Sequence, residues 1–206
     1  MPQFPGDGVL PAGGDSDPGI PLRRAGERLR ITDLAALVCA GCARVSVREP
    51  RIRVVPLRGS GSGRNDASAQ TLAGAGRLVV HGIALTPGET AALGFVGPRP
   101  VLLLPGRLDA ALAVWLVVGR RILNRLSLAN ANEHEPAETL TLARKIASTV
   151  GLAEVAPVRR NGGQAEPLAM KYLPLSSLAR SDGWILVPAD SEGYAAGAQV
   201  QVRPWP

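Results

Sequence analysis

The stretch that decides the fold is Val101-Leu-Leu-Leu-Pro-Gly-Arg-Leu-Asp-Ala-Ala-Leu-Ala-Val-Trp115. Its first four residues have the apolar character of a buried strand, and Pro105 and Gly106 then form a turn. A long apolar helix pattern begins at Arg107 and continues to about Leu126. Open α/β sheets place their ligands where strands turn into helices. We therefore predict that this turn borders a ligand site.

Short apolar segments separated by turns lie upstream of this unit. Strands are predicted at residues 51–57, 78–83 and 91–95, with turns at Pro87-Gly88 and Gly97-Pro98. A glycine-rich loop at residues 58–64 precedes a short predicted helix that ends near Leu72. This mixture of strands and helices predicts an α/β unit.

The downstream part of the chain has a different pattern. Residues 129–138 are polar and are interpreted as a linker. Short strands are predicted within residues 139–148, 154–159, 184–187 and 199–203, and Asn161-Gly162-Gly163 is typical of a hairpin turn. Short strands joined by turns at these intervals favour a small β domain.

The first 49 residues are weaker in pattern. Residues 1–21 are rich in turn formers. A helix over residues 33–40 is predicted, capped by Thr32 and ended by Gly41. Residues 44–48 alternate in polarity, which predicts a strand with Val45 and Val47 facing inward.

Composition narrows the classes of protein. Of 206 residues, 46% are hydrophobic but only 3% are aromatic, so aliphatic residues must form the core. The net charge of +6 suits anionic partners, although no dense basic stripe with interleaved aromatics is present, which disfavours nucleic acid. Residues 1–20 lack a signal-peptide pattern, and the apolar run at residues 110–118 is shorter than the roughly 20 residues of a membrane span. We expect a cytoplasmic chain that does not enter a membrane.

The two cysteines, Cys39 and Cys42, form a C-x-x-C pair. A zinc site needs about four ligands, and the two histidines, His81 and His134, lie far away in sequence. We predict no metal site and two reduced, structural cysteines.

Three loops are candidate anion-binding elements, because backbone N–H groups at such turns can hold phosphate. The candidate residues are Arg58, Gly59, Gly61, Gly63, Arg64, Asp66, Pro87, Gly88, Pro105, Gly106 and Arg107. The loops meet at one place if their strands are parallel neighbours. The alternative for the glycine-rich loop is a flexible segment without a ligand. The alternative for Pro105-Gly106 is a plain turn, with Asp109 at the positive end of the following helix. The alternative for Asp66 is a helix cap. No catalytic constellation is readable.

Several segments resemble the MoeA–gephyrin family in the same order. Residues 104–112 resemble its L-P-G-N-P-x-S-A-L segment, and residues 82–89 resemble its G-V-A-x-K-P-G-K-P segment. Residues 65–73, 11–37 and 176–197 are similar to further family passages. The resemblance covers nearly the whole chain, and the shared order is its most specific feature.

The resemblance implies an α/β fold, α+β overall. It implies a partial β-rich N-terminal domain over residues 1–49, a shortened three-layer molybdopterin-binding domain over residues 50–128, and a small C-terminal β domain over residues 129–206. It also implies a role in molybdenum cofactor biosynthesis, in which the family inserts molybdenum into molybdopterin with the help of Mg²⁺. The front half of the family chain has no counterpart here, so we expect a truncated member.

The departures from the family pattern bear on activity. Residues 56–60 carry no acid where the family has the metal-binding T-G-D-E-L, which makes Mg²⁺ doubtful. Thr86 and Glu89 replace the two lysines of K-P-G-K-P, and Arg107 replaces the asparagine of the helix segment. We expect molybdopterin or its adenylated form to bind with impaired or no catalysis. The alternative is a non-catalytic scaffold that pairs with a full-length homologue. Apolar surface around Trp115 would also favour a homo-oligomer.

Overall fold

The computed structural model describes residues 17–55, 67–129 and 136–206. The helices are α1 (Ile31–Cys39), α2 (Ala67–Ala75), α3 (Leu108–Val114), α4 (Arg120–Leu126) and α5 (Leu175–Ala179), with a π-helical turn at Trp115–Gly119 between α3 and α4. The strands are β1 (Arg77–His81), β2 (Leu85–Thr86), β3 (Ala92–Val96), β4 (Arg99–Leu103), β5 (Glu138–Leu142), β6 (Ile146–Ala147), β7 (Ala153–Asn161), β8 (Gln164–Pro167), β9 (Gly183–Val187), β10 (Gly193–Tyr194) and β11 (Gln199–Pro204).

The C-terminal part of the chain forms a closed barrel. The strands pair in the order β7, β8, β5, β11 and β9, and β9 pairs back with β7. Closure satisfies the backbone groups that a sheet edge would leave unpaired. The hairpin between β7 and β8 turns at Gly162 and Gly163, whose φ values of 53° and 82° suit glycine. The predicted hairpin turn is therefore present.

Strands β7 and β9 are buried on both faces, and this explains their nearly continuous apolar sequence. One face fills the barrel, where Ala156, Val158 and Ile185 belong to the interior core. The opposite face carries Val155 and Trp184, which pack outside the barrel in a second core. These two strands therefore hold the barrel to the rest of the described structure.

The second core lies between the barrel and the long helix. Ala113, Val114 and Leu116 are at most 2% exposed and pack there with Leu85. The predicted helix is thus present over the whole of α3, the π-helical turn and α4. Its burial is concentrated in α3 and the π-helical turn, because α4 has no buried residue.

The middle sheet differs from the parallel arrangement that was assumed for the three loops. Strands β1, β3 and β4 form a three-stranded sheet in the order β1-β3-β4, and both pairs are antiparallel. Helix α2 packs on it, with Leu72 against Gly94. Strand β2, which follows β1 in the chain, pairs in parallel with β7 of the barrel. The condition of parallel neighbours is not met by β1, β3 and β4, because short connections favour antiparallel hairpins.

The N-terminal part of the described chain has one helix and little buried surface. Helix α1 ends at Cys39, two residues before Gly41, whose φ of 77° suits the predicted helix stop, but it begins at Ile31 after Arg30 rather than after Thr32. Residues 44–48 and 51–55 form no strand. Val45 and Val47 are 46% and 67% exposed, so the prediction that they face inward was wrong.

The two cysteines are free and exposed. Cys39 is the last residue of α1, and Cys42 follows the turn at Gly41. A structural role through burial is therefore not supported, because neither side chain is part of a core.

The described helices are too short or too polar to cross a membrane. The mixed α/β class and the small C-terminal β domain are as predicted. The predicted boundaries at residues 49 and 128 remain predictions.

Candidate functional site

The loop after β2 closes on itself through Glu89. Its carboxylate accepts hydrogen bonds from the Thr86 hydroxyl and from the Gly88 N–H, the latter at 3.0 Å. Burial would raise the pKa of Glu89, but these donors, with its own N–H group and the nearby Arg107, lower it below the usual value. The loop therefore presents an ionised acid, and a backbone donor that an anion would need is already engaged.

This loop lies against the first turns of α3. Gly88 has a φ of 137°, and a Cβ atom at this position would lie 2.7 Å from Val114 Cγ2. The same Cβ would lie 3.6 Å from the carbonyl oxygen of Ala110. Glycine is therefore required for both the backbone conformation and the close approach. The contact brings the predicted residues Pro87 and Gly88 to the start of the long helix.

The side chain of Asp109 lies at the N-terminal end of α3. Arg107 donates to Asp109 from Nε at 3.1 Å and from Nη2 at 2.6 Å. Asp109 is 4% exposed and also accepts the N–H of Leu173 at 3.2 Å. The carboxylate thus joins the helix to the segment before α5. It also occupies the positive end of the helix, as the plain-turn interpretation expected.

Arg107 and Asp109, at the start of α3, each stabilise the charged form of the other. Burial opposes ionisation of Asp109, but the hydrogen bonds from Arg107 and the Leu173 N–H outweigh it and lower the pKa of the carboxyl. The hydrogen bond to Asp109 raises the pKa of Arg107. The Arg107 guanidinium also lies over the Tyr172 ring, 4.9 Å from its centre. Arg107 is therefore engaged within the protein on two sides.

A cavity of about 260 Å³ opens beside the loop, where the loop meets the barrel. It is lined by Thr86, Glu89, Thr149, Leu152, Glu154 and Lys171. Glu154 is 2% exposed, and it accepts the Ser148 hydroxyl at 2.8 Å and the Lys171 N–H at 2.5 Å. Five of the six lining residues are polar or charged, and the lining contains two acids and one lysine.

The predicted site residues are only partly brought together. Pro87, Gly88 and Arg107 converge at the start of α3, next to the half-buried Pro105 and the exposed Gly106. The predicted residues Arg58, Gly59, Gly61, Gly63, Arg64 and Asp66 lie outside the described residues. Molybdopterin contacts at all of these residues remain a prediction.

The barrel residues that line the cavity were not predicted from the sequence. Glu154 stands among the apolar residues of the first part of β7, and a lone acid in such a buried stretch is a signal of a buried polar site. Lys171 gave no signal, because a single lysine in a loop has no pattern. Within the described ranges, no group of three or more His, Cys, Asp or Glu side chains could hold a metal ion.

The chain resembles proteins of molybdopterin biosynthesis. Residues 139–205 match the MoeA C-terminal region, domain IV. A molybdopterin biosynthesis protein of Methanocaldococcus jannaschii is 29% identical over 154 residues, which are 70% of this chain and 34% of that protein. The chain therefore spans about a third of the length of that relative.

Solved structures agree with this fold. The molybdopterin biosynthesis MoeA protein of Pyrococcus horikoshii is 25% identical with a TM-score of 0.57, over 68% of this chain and 34% of that one. A molybdenum cofactor biosynthesis protein of Pyrococcus furiosus is 23% identical with a TM-score of 0.71, over 94% of this chain and 82% of that one. By these comparisons, residues 139–205 are similar to the MoeA C-terminal region, and the chain is similar over part of their length to the MoeA molybdopterin biosynthesis proteins.

Proposed function

We propose that this chain takes part in molybdenum cofactor biosynthesis in the cytoplasm as a MoeA-like protein that does not insert molybdenum by itself. The related proteins are named for molybdopterin biosynthesis, which suggests molybdopterin as the substrate class. The residues at the junction of the loop and the barrel support the expected absence of insertion. Residues 56–60 carry none of the acids of the resembled T-G-D-E-L segment, which argues against Mg²⁺ binding through that segment.

The observation that carries the proposal is the closed loop around Glu89. Thr86 and Glu89 replace the two lysines of the family motif, and the Glu89 carboxylate accepts the Gly88 N–H. An oxyanion would meet an acid instead of two cations and would have to displace that internal hydrogen bond. Both effects oppose the binding of molybdate or phosphate at this loop.

A second candidate function, a scaffold that docks on a full-length homologue, is favoured by the N-terminal part. Ile31, Val47 and Val54 are 84%, 67% and 85% exposed, and several other apolar residues of the 17–55 segment are exposed as well. Large exposed apolar surfaces commonly mark protein contacts. In this case molybdopterin would be bound by the partner, and this chain would contribute its barrel and the apolar segment.

Titration of the full chain with molybdate tests the loop directly. We expect no saturable change in tryptophan fluorescence for the natural chain. The double variant Thr86→Lys with Glu89→Lys restores the two lysines of the resembled K-P-G-K-P motif. It should therefore bind molybdate saturably. Saturable molybdate binding by the natural chain would contradict the proposal.

The Arg107→Ala variant tests whether molybdopterin uses the helix start. A lost charge-assisted hydrogen bond to phosphate would weaken binding by roughly 1–3 kcal/mol. Because Arg107 is held by Asp109 and Tyr172, we expect any residual affinity for molybdopterin to stay unchanged. A loss within the stated range would restore the interpretation in which Arg107 contacts the cofactor.

Co-purification with a full-length MoeA-like homologue tests the scaffold function. The complex should be disrupted by Val47→Asp with Val54→Asp, which places charge on the exposed apolar segment. Val150→Asp is the matched control, because Val150 is 57% exposed in the loop before β7. A complex that survives the double change, or that fails equally with the control, would argue against this docking surface.

A further inference from the structure

Residues 44–55 have the sequence of β-strands but no strand partner in the described structure. Residues 44–48 and 51–54 alternate in polarity, and their apolar members are β-branched, a pattern that favours strands. Neither stretch forms a helix or strand, and among the described residues their backbone groups make no hydrogen bond. The valine and isoleucine side chains are exposed. The segment therefore presents unpaired N–H and C=O groups together with apolar side chains.

The described part of the chain offers these residues no suitable sheet edge of its own. The barrel is closed by the pairing of β7 with β9. The middle sheet ends in β1, which has a bulge between Leu78 and Val80, and in β4, where Pro100 has no backbone donor. Bulges and prolines at an edge hinder the addition of a further strand. The strands β2, β6 and β10 have only two residues each. A matching edge must therefore lie on another protein.

The charge of the segment indicates the chemistry of that protein. Residues 44–55 contain four arginines and one acid, which gives a net charge of +3. A second copy of this chain would present Arg77 on β1 and Arg99 on β4, so its sheet edges would meet the segment with like charge. Opposite charges guide association and suppress wrong partners. An edge flanked by carboxylates complements the segment.

We propose that residues 44–55 add as β-strands to an open sheet edge of another protein, and that acidic side chains flank this edge. Main-chain hydrogen bonds supply the affinity in such contacts, and pockets for alternate side chains supply the specificity. The inference names the contact chemistry that the scaffold candidate needs. It rests on the proposed function only for the identity of the partner.

The spacing of the apolar residues disfavours an anionic membrane as the partner. Successive side chains of an extended chain point to opposite faces. The valines of residues 44–48 stand at odd positions, whereas the isoleucine and valine that alternate with arginine in residues 51–54 stand at even positions. One extended segment therefore has apolar groups on both faces. A membrane surface contacts one face, but a strand within a sheet has two faces that can be covered.

Hydrogen exchange of the full natural chain tests the inference with a blocked Glu-Val-Glu-Val-Glu-Val-Glu peptide. We expect saturating peptide to slow the exchange of residues 44–48 and 51–55 at least about tenfold, because strand addition engages their N–H groups. The same peptide with every backbone nitrogen methylated keeps its charge but cannot donate main-chain hydrogen bonds, so it should give no protection. A peptide with lysine in place of glutamate should give none either.

Matched variants then test the charge. Arg51→Glu with Arg53→Glu should abolish protection by the glutamate peptide and create protection by the lysine peptide. Arg121→Glu with Arg125→Glu is the control, because it makes the same change of charge at two exposed residues of α4. The control variant should keep the response of the natural chain to both peptides.

Four results would overturn the inference. The first is the absence of protection by the glutamate peptide, and the second is equal protection by its methylated form, because the backbone would then play no part. The third is stronger protection by phosphatidylserine vesicles or single-stranded DNA, and the fourth is protection that rises with protein concentration without peptide, which would identify a second copy as the occupant. No homologue is present in these experiments, so their failure is distinct from a failure of the scaffold test.

Discussion

Two segments of this chain share one pattern and have opposite structures. Arg44-Val-Ser-Val-Arg48 and Gln199-Val-Gln-Val-Arg203 both alternate polar residues with valine. In the second segment, Val200 and Val202 are 3% and 0% exposed within β11, which pairs with β5 and β9. In the first, the valines are exposed and no strand forms. Alternation determines which face of a strand is apolar, and a neighbouring strand determines whether that face is buried.

Two buried aspartates, Asp33 in the N-terminal part and Asp109 in α3, show the same contrast. In the N-terminal part, Asp33 accepts hydrogen bonds from Arg23 at 2.5 Å and from the Arg30 N–H at 2.7 Å, and the bond from Arg23 does most to lower the pKa of Asp33, to about 2. This contact fixes the start of α1 without an apolar core beneath it. Asp109 makes comparable contacts but also joins two buried elements. A polar anchor therefore matters most where apolar packing surrounds it.

The largest expected difference is in backbone hydrogen exchange. Amide protons of β7, β9 and β11 should exchange at least about 1,000-fold more slowly than those of residues 44–48 and 51–55, because core amides exchange only on global unfolding. Mass spectrometry of exchanged peptides would measure this. Comparable protection in the two regions would break the comparison by showing that the N-terminal part has a packing partner.

A matched pair of valine truncations should differ next. Val202→Ala removes two methyl groups from the filled barrel and should lower the free energy of unfolding by about 2 kcal/mol. Val47→Ala, at the corresponding position of the exposed segment, should change it by less than about 0.5 kcal/mol. Urea denaturation of both variants is the measurement. Equal losses would contradict the assignment of the two environments.

The Asp109→Asn variant should have a smaller, pH-dependent effect. The pKa of Asp109 is lower in the folded protein, so its contribution to stability is present above pH 4 and is lost as the pH falls below that value. Asparagine should cost about 1–2 kcal/mol at pH 7, and the difference from the natural chain should shrink in acid. A difference that stays constant with pH would mean that the charge of Asp109 does not contribute.

The smallest effect is expected for Asp33→Asn. Its contacts lie within the N-terminal part, so the unfolding transition of the barrel, followed by Trp184 fluorescence, should keep its midpoint. The circular dichroism of α1 in a spectrum of residues 17–55 should weaken. A shifted barrel midpoint would indicate that the two regions are coupled.

The sequence predicted local structure well where local chemistry determines it. The glycines at 162 and 163 specify the hairpin turn, and the long apolar run specifies the helix after Gly106. It did not predict the antiparallel middle sheet, because strand direction depends on which strands meet. It also could not predict the cavity, since the pairing of β2 with β7 brings Glu89 near Glu154, and Lys171 joins them through a backbone hydrogen bond to Glu154.

The resemblance predicted the relatives, and the structure shows how the residues that replace the two lysines of the resembled motif are arranged. Thr86 and Glu89 form an internally hydrogen-bonded pair, so the loop is stable without a bound anion. A motif comparison alone would have left the orientation of Glu89 open.

Reconstitution with adenylated molybdopterin, molybdate and Mg²⁺ tests the central claim most directly. The purified chain should produce no active cofactor above the protein-free control, while a full-length MoeA-like homologue under the same conditions should produce it. Active cofactor formed by the chain alone would contradict the account, because a loop closed by Glu89 could then still support insertion.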